Sequence, residues 1–144
     1  MTGPIPDLSG TLQQRLPVLE TRLGRPVAAR TSGADRWILY EGDGWSLRLR
    51  ARASREGEDA RVRSWTVTFD EGFETLSQAC TALGLPAVVA EEVARGDHAS
   101  LRAPLSSDAR GAVCSLTALR RDGRVRSVTV FDEAPDWGPE DTSS

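Results

Sequence analysis

Arg61-Val62-Arg63-Ser64-Trp65-Thr66-Val67-Thr68-Phe69-Asp70-Glu71 returns near the end of the chain as Arg124-Val125-Arg126-Ser127-Val128-Thr129-Val130-Phe131-Asp132-Glu133, with one gap opposite Thr68. Both copies alternate apolar and polar positions, the period of a strand with one face buried. Each follows another alternating run and a polar turn, so the chain holds two β-hairpins whose second strands leave the sheet through an acidic exit.

The first hairpin is set by Arg36-Trp37-Ile38-Leu39-Tyr40, the turn Glu41-Gly42-Asp43-Gly44, and the run from Trp45 to Ala53. In that run Trp45, Leu47, Leu49, Ala51 and Ala53 alternate with Ser46, Arg48, Arg50 and Arg52, which predicts a buried face and an arginine row opposite it. A charged loop, Ser54 to Ala60, leads into the strand Arg61 to Phe69, making three antiparallel strands. The last hairpin runs from Val113 to Leu119, turns at Arg121-Asp122-Gly123 and returns through Val125 to Phe131.

Helical spacing appears twice. Leu8, Leu12, Leu16, Leu19 and Leu23 recur at steps of four and three, and Pro17 inside the pattern either kinks the helix or moves its start beyond Leu12. Phe73, Leu76, Ala79, Cys80 and Leu83 form a second apolar face, closed by Gly84-Leu85-Pro86. Val89, Ala90 and Val93 predict a further helical piece starting at Pro86, and Gly96 to Gly111 an irregular connection. The expected fold is α+β, an antiparallel sheet of about five strands packed against helices in the order α-β-β-β-α(α)-β-β. Residues 1–131 form one domain and 132–144 an acidic, flexible tail.

A chain of 144 residues, 39% hydrophobic and 27% charged, is long enough for one compact core. Its net charge of −3 gives no global attraction to nucleic acid or anionic lipid. All 18 basic residues are arginine, a bias attributed to the base composition of the coding sequence rather than to arginine chemistry. The first residues lack a signal-peptide pattern, and no apolar run approaches the roughly 20 residues of a membrane span, so the expectation is a cytoplasmic protein without a membrane partner. Cys80 and Cys114 then read as buried thiols rather than a disulfide.

Catalytic chemistry has little to stand on. His98, preceded by Asp97, is the only histidine, and Ser77, Ser100, Cys80 and Cys114 lie in no nucleophile signature. One histidine and two distant cysteines make no metal-ligand spacing. Asp70-Glu71-Glu74 and Asp132-Glu133-Asp136 face each other only if the repeat brings its acidic exits together, and carboxylates there more often complement helix starts. No catalytic residue, metal ligand or cofactor is expected. The surface feature is the arginine row, Arg48, Arg50 and Arg52 with Arg61 on the neighbouring strand. Arginines beside an aromatic suit single-stranded nucleic acid, but Trp65 is in phase with Val67 and Phe69 and points to the core. A charged surface facing protein is the preferred reading.

The element order, with Leu23-Gly24 closing the first helix, Asp43-Gly44-Trp45 opening the second strand and two hairpins flanking the central helices, resembles the small α/β chaperones of type III secretion and the related YbjN-like proteins. The resemblance covers about residues 8 to 131. The Gly84-Leu85-Pro86 break and an acidic tail in place of a final helix depart from that pattern. It implies a non-catalytic, homodimeric, chaperone-like adaptor that binds a partner protein. The alternative is an accessory factor of DNA metabolism or repair, contacting single-stranded DNA or its binding protein through Arg48, Arg50, Arg52 and Arg61.

Overall fold

A computed structural model describes residues 5–12, 14–53, 59–86, 91–95, 98–105 and 114–132. Among them, helix α1 (Leu16–Leu23) is followed by strands β1 (Ala28–Ser32), β2 (Asp35–Gly42), β3 (Trp45–Arg52) and β4 (Arg61–Phe73). Helix α2 (Leu76–Leu83) is followed by β5 (Glu91–Arg95), β6 (His98–Leu105), β7 (Cys114–Arg121) and β8 (Arg124–Asp132). The eight strands form one sheet in the order β1-β2-β3-β4-β8-β7-β6-β5, with every neighbouring pair antiparallel. Each half is therefore a short helix followed by a four-stranded meander, and the halves join where β4 pairs with β8.

The sequence repeat falls on those two joining strands. Thr66 is paired with Thr129, flanked by Trp65 with Val130 and Val67 with Val128. The repeat makes Trp65 equivalent to Val128 and Val67 to Val130, so exchanging the copies maps each flanking pair onto the other. A local twofold thus runs between Thr66 and Thr129, whose hydroxyls lie 2.8 Å apart.

Three strands appear where the sequence predicts none, giving eight instead of about five. Ala28–Ser32 forms β1, turned onto β2 through Gly33 at φ +61. The expected helix from Pro86 is instead strand β5 where it is described, with Val93 opposite Ser100; Val89 and Ala90 lie outside the described residues. Glu91 to Arg95 contains good helix formers, and pairing with β6 overrides that weak local preference. The expected irregular connection contains β6, in which buried Ala99 and Leu101 alternate with exposed Ser100. Pro104 in β6 lies beyond the last β5 pair, Glu91 with Arg102, so its missing donor costs no β5 hydrogen bond. The tail beyond Asp132 and the loop residues 54–58 lie outside the described residues.

Both helices pack on one face of the sheet. Leu16, Leu19 and Leu23 of α1 and Leu76, Ala79, Cys80 and Leu83 of α2 share one buried cluster with Trp45, Leu47, Leu49, Trp65, Val67, Phe69, Leu116 and Val128. The apolar faces expected on β3 (Trp45, Leu47, Leu49), β4 (Trp65, Val67, Phe69) and α2 (Leu76, Ala79, Cys80, Leu83) are thereby buried, and each large apolar side chain removed from water contributes about 1.5–3 kcal/mol. Pro17 occupies the first turn of α1, where its missing N–H costs nothing, and the helix begins at Leu16. Leu8 and Leu12 are buried all the same, in the non-helical lead-in, which hydrogen-bonds Leu8 N–H to the Leu83 carbonyl at 2.8 Å. Helix α2 starts with a capping box, Thr75 accepting from the Gln78 N–H while the Gln78 side chain accepts from the Thr75 N–H, and ends at left-handed Gly84.

Two irregularities adjust β4. Leu49 pairs with Trp65 and Ala51 with Val62, so β4 carries one residue more than β3 there; the bulge lets Val62 and Trp65 both reach the core and buries Arg63. Between Thr68 and Phe73 β4 departs from β8, and Gly72, at φ +85, lies against the Val125 carbonyl. Arg124 donates to the Glu71 and Gly72 carbonyls at 2.9 and 3.0 Å, and Arg126 to the Asp70 carbonyl at 2.6 Å, so arginines of the second repeat copy hold the acidic exit of the first.

Candidate protein-binding sheet face

Because both helices lie on one face, the other face of the sheet carries no helix among the described residues. Directly paired residues share a face, so the ladder Ala28, Leu39, Arg48, Thr66, Thr129 and Thr117 runs across this outer side. A parallel row holds Arg30, Trp37, Arg50, Ser64, Phe131 and Ser115. The centre is thus a band of serine and threonine interrupted by half-buried Phe131, and one wing is arginine with half-buried Trp37 and Leu39.

Arg48, Arg50 and Arg52 do project from the outer face of β3, as the alternation predicts. Arg48 is exposed. Arg50 reaches Asp35 of β2, Nε to Oδ1 3.3 Å, and its guanidinium lies 6.0 Å from the Trp37 ring centre, the reach of a cation–π contact. Arg52 is 4.0 Å from the same Asp35 oxygen and pairs in register with Arg61 at the start of β4. Arg61 also forms an isolated bridge to Arg15, ahead of α1. Trp65 is buried at 1% exposure against Leu49, away from the row, so the aromatic beside the arginines is Trp37.

Arg30, Asp35 and Trp37 belong to this surface and were not legible as site residues: Arg30 is placed by β1, and Asp35 and Trp37 by their register opposite Arg52 and Arg50 of β3. The signal available was Ser32-Gly33-Ala34-Asp35, a turn that folds Ala28–Ser32 back on β2. Arg30, Trp37, Leu39 and Arg48, with Ala28, line an open cavity of about 540 Å³ at the β1 edge. Arg30 and Arg48 are exposed and have no ion pair among the described residues.

The other candidates do not converge. Cys80 and Cys114 are buried thiols that form no disulfide with each other, and burial pushes the Cys80 thiol above its ordinary range, which keeps it protonated. Ser77 is exposed on α2, Ser100 on β6, and His98 begins β6 between Arg95 and Arg121. The acidic exits do not face each other: antiparallel pairing of Ser64 with Phe131 and Thr68 with Ser127 sends Asp70 and Asp132 to opposite ends of the sheet. Glu133 and Asp136 lie outside the described residues. Among the described residues no three His, Cys, Asp or Glu side chains are grouped to hold a metal ion.

On the helix side, an apolar cleft of about 290 Å³ opens between Leu23, Tyr40, Trp45 and Leu47, with Arg22 at its rim donating to Thr11 Oγ1 at 2.7 Å. Tyr40 donates to the Gly24 carbonyl at 3.1 Å, and burial, with Glu20 nearby, raises its phenol above the ordinary value. Among the described residues no helix is long and apolar enough to cross a membrane. Comparison with protein-family models, with curated proteins and with solved structures finds no match.

Proposed function

We propose that the protein is a non-catalytic, chaperone-like adaptor that binds a partner protein on the outer face of its sheet, around Arg48, Arg50, Arg52 and Arg61. The observation that supports this reading is a sheet whose two described helices pack on one side, leaving a half-buried aromatic and aliphatic wing, Trp37 and Leu39, set among arginines. Apolar centres rimmed by polar and arginine side chains are the composition of protein interfaces. Self-association through α1 or a sheet edge is part of the reading, and sedimentation over the micromolar range tests it.

Contact with single-stranded DNA is the second reading, favoured by the guanidinium of Arg50 lying over the Trp37 ring. Asp35 weighs against it: its carboxylate is directed at both Arg50 and Arg52 and would repel a phosphate backbone. The test is recovery of partners from native extract, with and without nuclease, by wild-type protein and by R48A/R50A/R52A. A protein partner retained after nuclease and recovered in reduced amount by the triple variant supports the adaptor. Recovery abolished by nuclease alone overturns it.

A further inference from the structure

Among the described residues, the strand at the sheet edge beside the arginine wing is open: all five residues of β1 are exposed, and β1 has a described neighbour on one side only, β2. Alternate backbone N–H and C=O groups of such a strand point away from the sheet, a template for one more strand. On its outer face the edge carries small Ala28 and Ser32 on either side of Arg30, so the cavity between Trp37, Leu39 and Arg48 runs out to the edge over Ala28, with Arg30 at its rim.

We propose that β1 is a docking edge for an extended segment of a partner protein that carries acidic residues at alternate positions. The inference rests on the adaptor reading and names the partner chemistry. A strand added beside β1 places its outer-facing side chains opposite Ala28 and Arg30, two residues apart. A carboxylate opposite Arg30 meets that guanidinium directly. A longer carboxylate opposite Ala28 extends over the cavity toward Arg48, which stands in the same ladder as Ala28 and Leu39. Backbone pairing supplies affinity irrespective of sequence, and the two exposed cations select acid-x-acid segments.

The test uses the intact purified protein and an acetylated peptide of alternating Glu and Val. Binding is expected to protect the backbone amides of β1 against hydrogen exchange. R30E/R48E should weaken binding about tenfold or more, since each reversal replaces an attraction with a repulsion, while the same peptide with Lys for Glu should bind the double variant. Unfolding temperature checks the variant fold, and the exchange measurement on wild-type protein decides independently of it. Unprotected β1 amides, or equal affinity for wild type and R30E/R48E, overturn the proposal. So does displacement of the peptide by an equal concentration of single-stranded oligonucleotide, which makes the site a reader of phosphate, and so does a wild-type dimer split by the peptide, which makes a second copy the occupant. A partner retained in the extract experiment with β1 unprotected by peptide overturns this inference and leaves the adaptor reading in place.

Discussion

The hydroxyls of Thr66 and Thr129, equivalent residues of the two repeat copies, meet 2.8 Å apart on the outer face at the centre of the sheet. Each copy thus pairs with the other at its own midpoint. Removing one hydroxyl leaves its half-buried partner unsatisfied, whereas removing both leaves nothing to satisfy. Thr66→Val and Thr129→Val should each cost about 0.5–1.5 kcal/mol and the double variant less than their sum, with a coupling of about 0.5 kcal/mol or more. Urea unfolding of the four proteins measures it. Strict additivity would show that the contact carries no coupling.

Gly72 and Gly123 both have positive φ, but their surroundings differ. A Cβ at Gly72 would run into the Val125 carbonyl, a backbone atom of the paired strand, while at Gly123 it meets open space. Gly123→Ala should therefore cost about 1 kcal/mol for the left-handed conformation alone, and Gly72→Ala about 3 kcal/mol or more because the β4–β8 junction must also move. Equal midpoints in denaturant for the two variants would contradict that difference.

Leu49 is fully buried opposite Trp65. Leu49→Ala should lower stability by about 2–5 kcal/mol, the loss of transfer energy plus a residual cavity. A change below about 1 kcal/mol would mean that the helices close over the space.

Cys80 and Tyr40 both have their proton loss opposed by burial. With folded values above the unfolded ones, the native state holds more protons in alkaline solution. Stability is then unaffected below the unfolded values, 9.0 for a thiol and 10.0 for a phenol, and falls as pH rises through them. Unfolding free energies from pH 7 to 10.5 should decline, with a shallower fall in Cys80→Ala. A thiol reagent at pH 8 should leave Cys80 unmodified until the chain unfolds.

Salt separates the two functional readings. If Arg48, Arg50 and Arg52 hold phosphates, replacing all three with Ala should flatten the salt dependence of single-stranded DNA affinity by about 0.7 per lost contact. A partner held largely by Trp37, Leu39 and backbone pairing keeps most of its affinity at raised salt, because exposed charges are screened while apolar burial is not. Micromolar DNA binding at physiological salt, abolished by the triple variant, would favour the nucleic-acid reading.

The sequence by itself determined what depends on neighbours along the chain. Strict alternation from Trp45 to Arg52 placed Leu47 and Leu49 in the core and Arg48 and Arg50 outside; Asp43-Gly44 and Asp122-Gly123 marked their turns; Pro17 marked where α1 could begin. Tertiary structure decided what depends on contacts distant in sequence. Glu91 to Arg95 is a strand because β6 offers it a ladder, a contact that helix-forming side chains do not announce. Ala28–Ser32 has no buried face to leave a period, so pairing with β2 is what reveals it, and with it Arg30 opposite Trp37. The repeat was visible as sequence, but that its copies lie side by side and antiparallel was settled by β4 meeting β8, which separates the acidic exits and turns Arg124 and Arg126 onto the carbonyls of Asp70, Glu71 and Gly72.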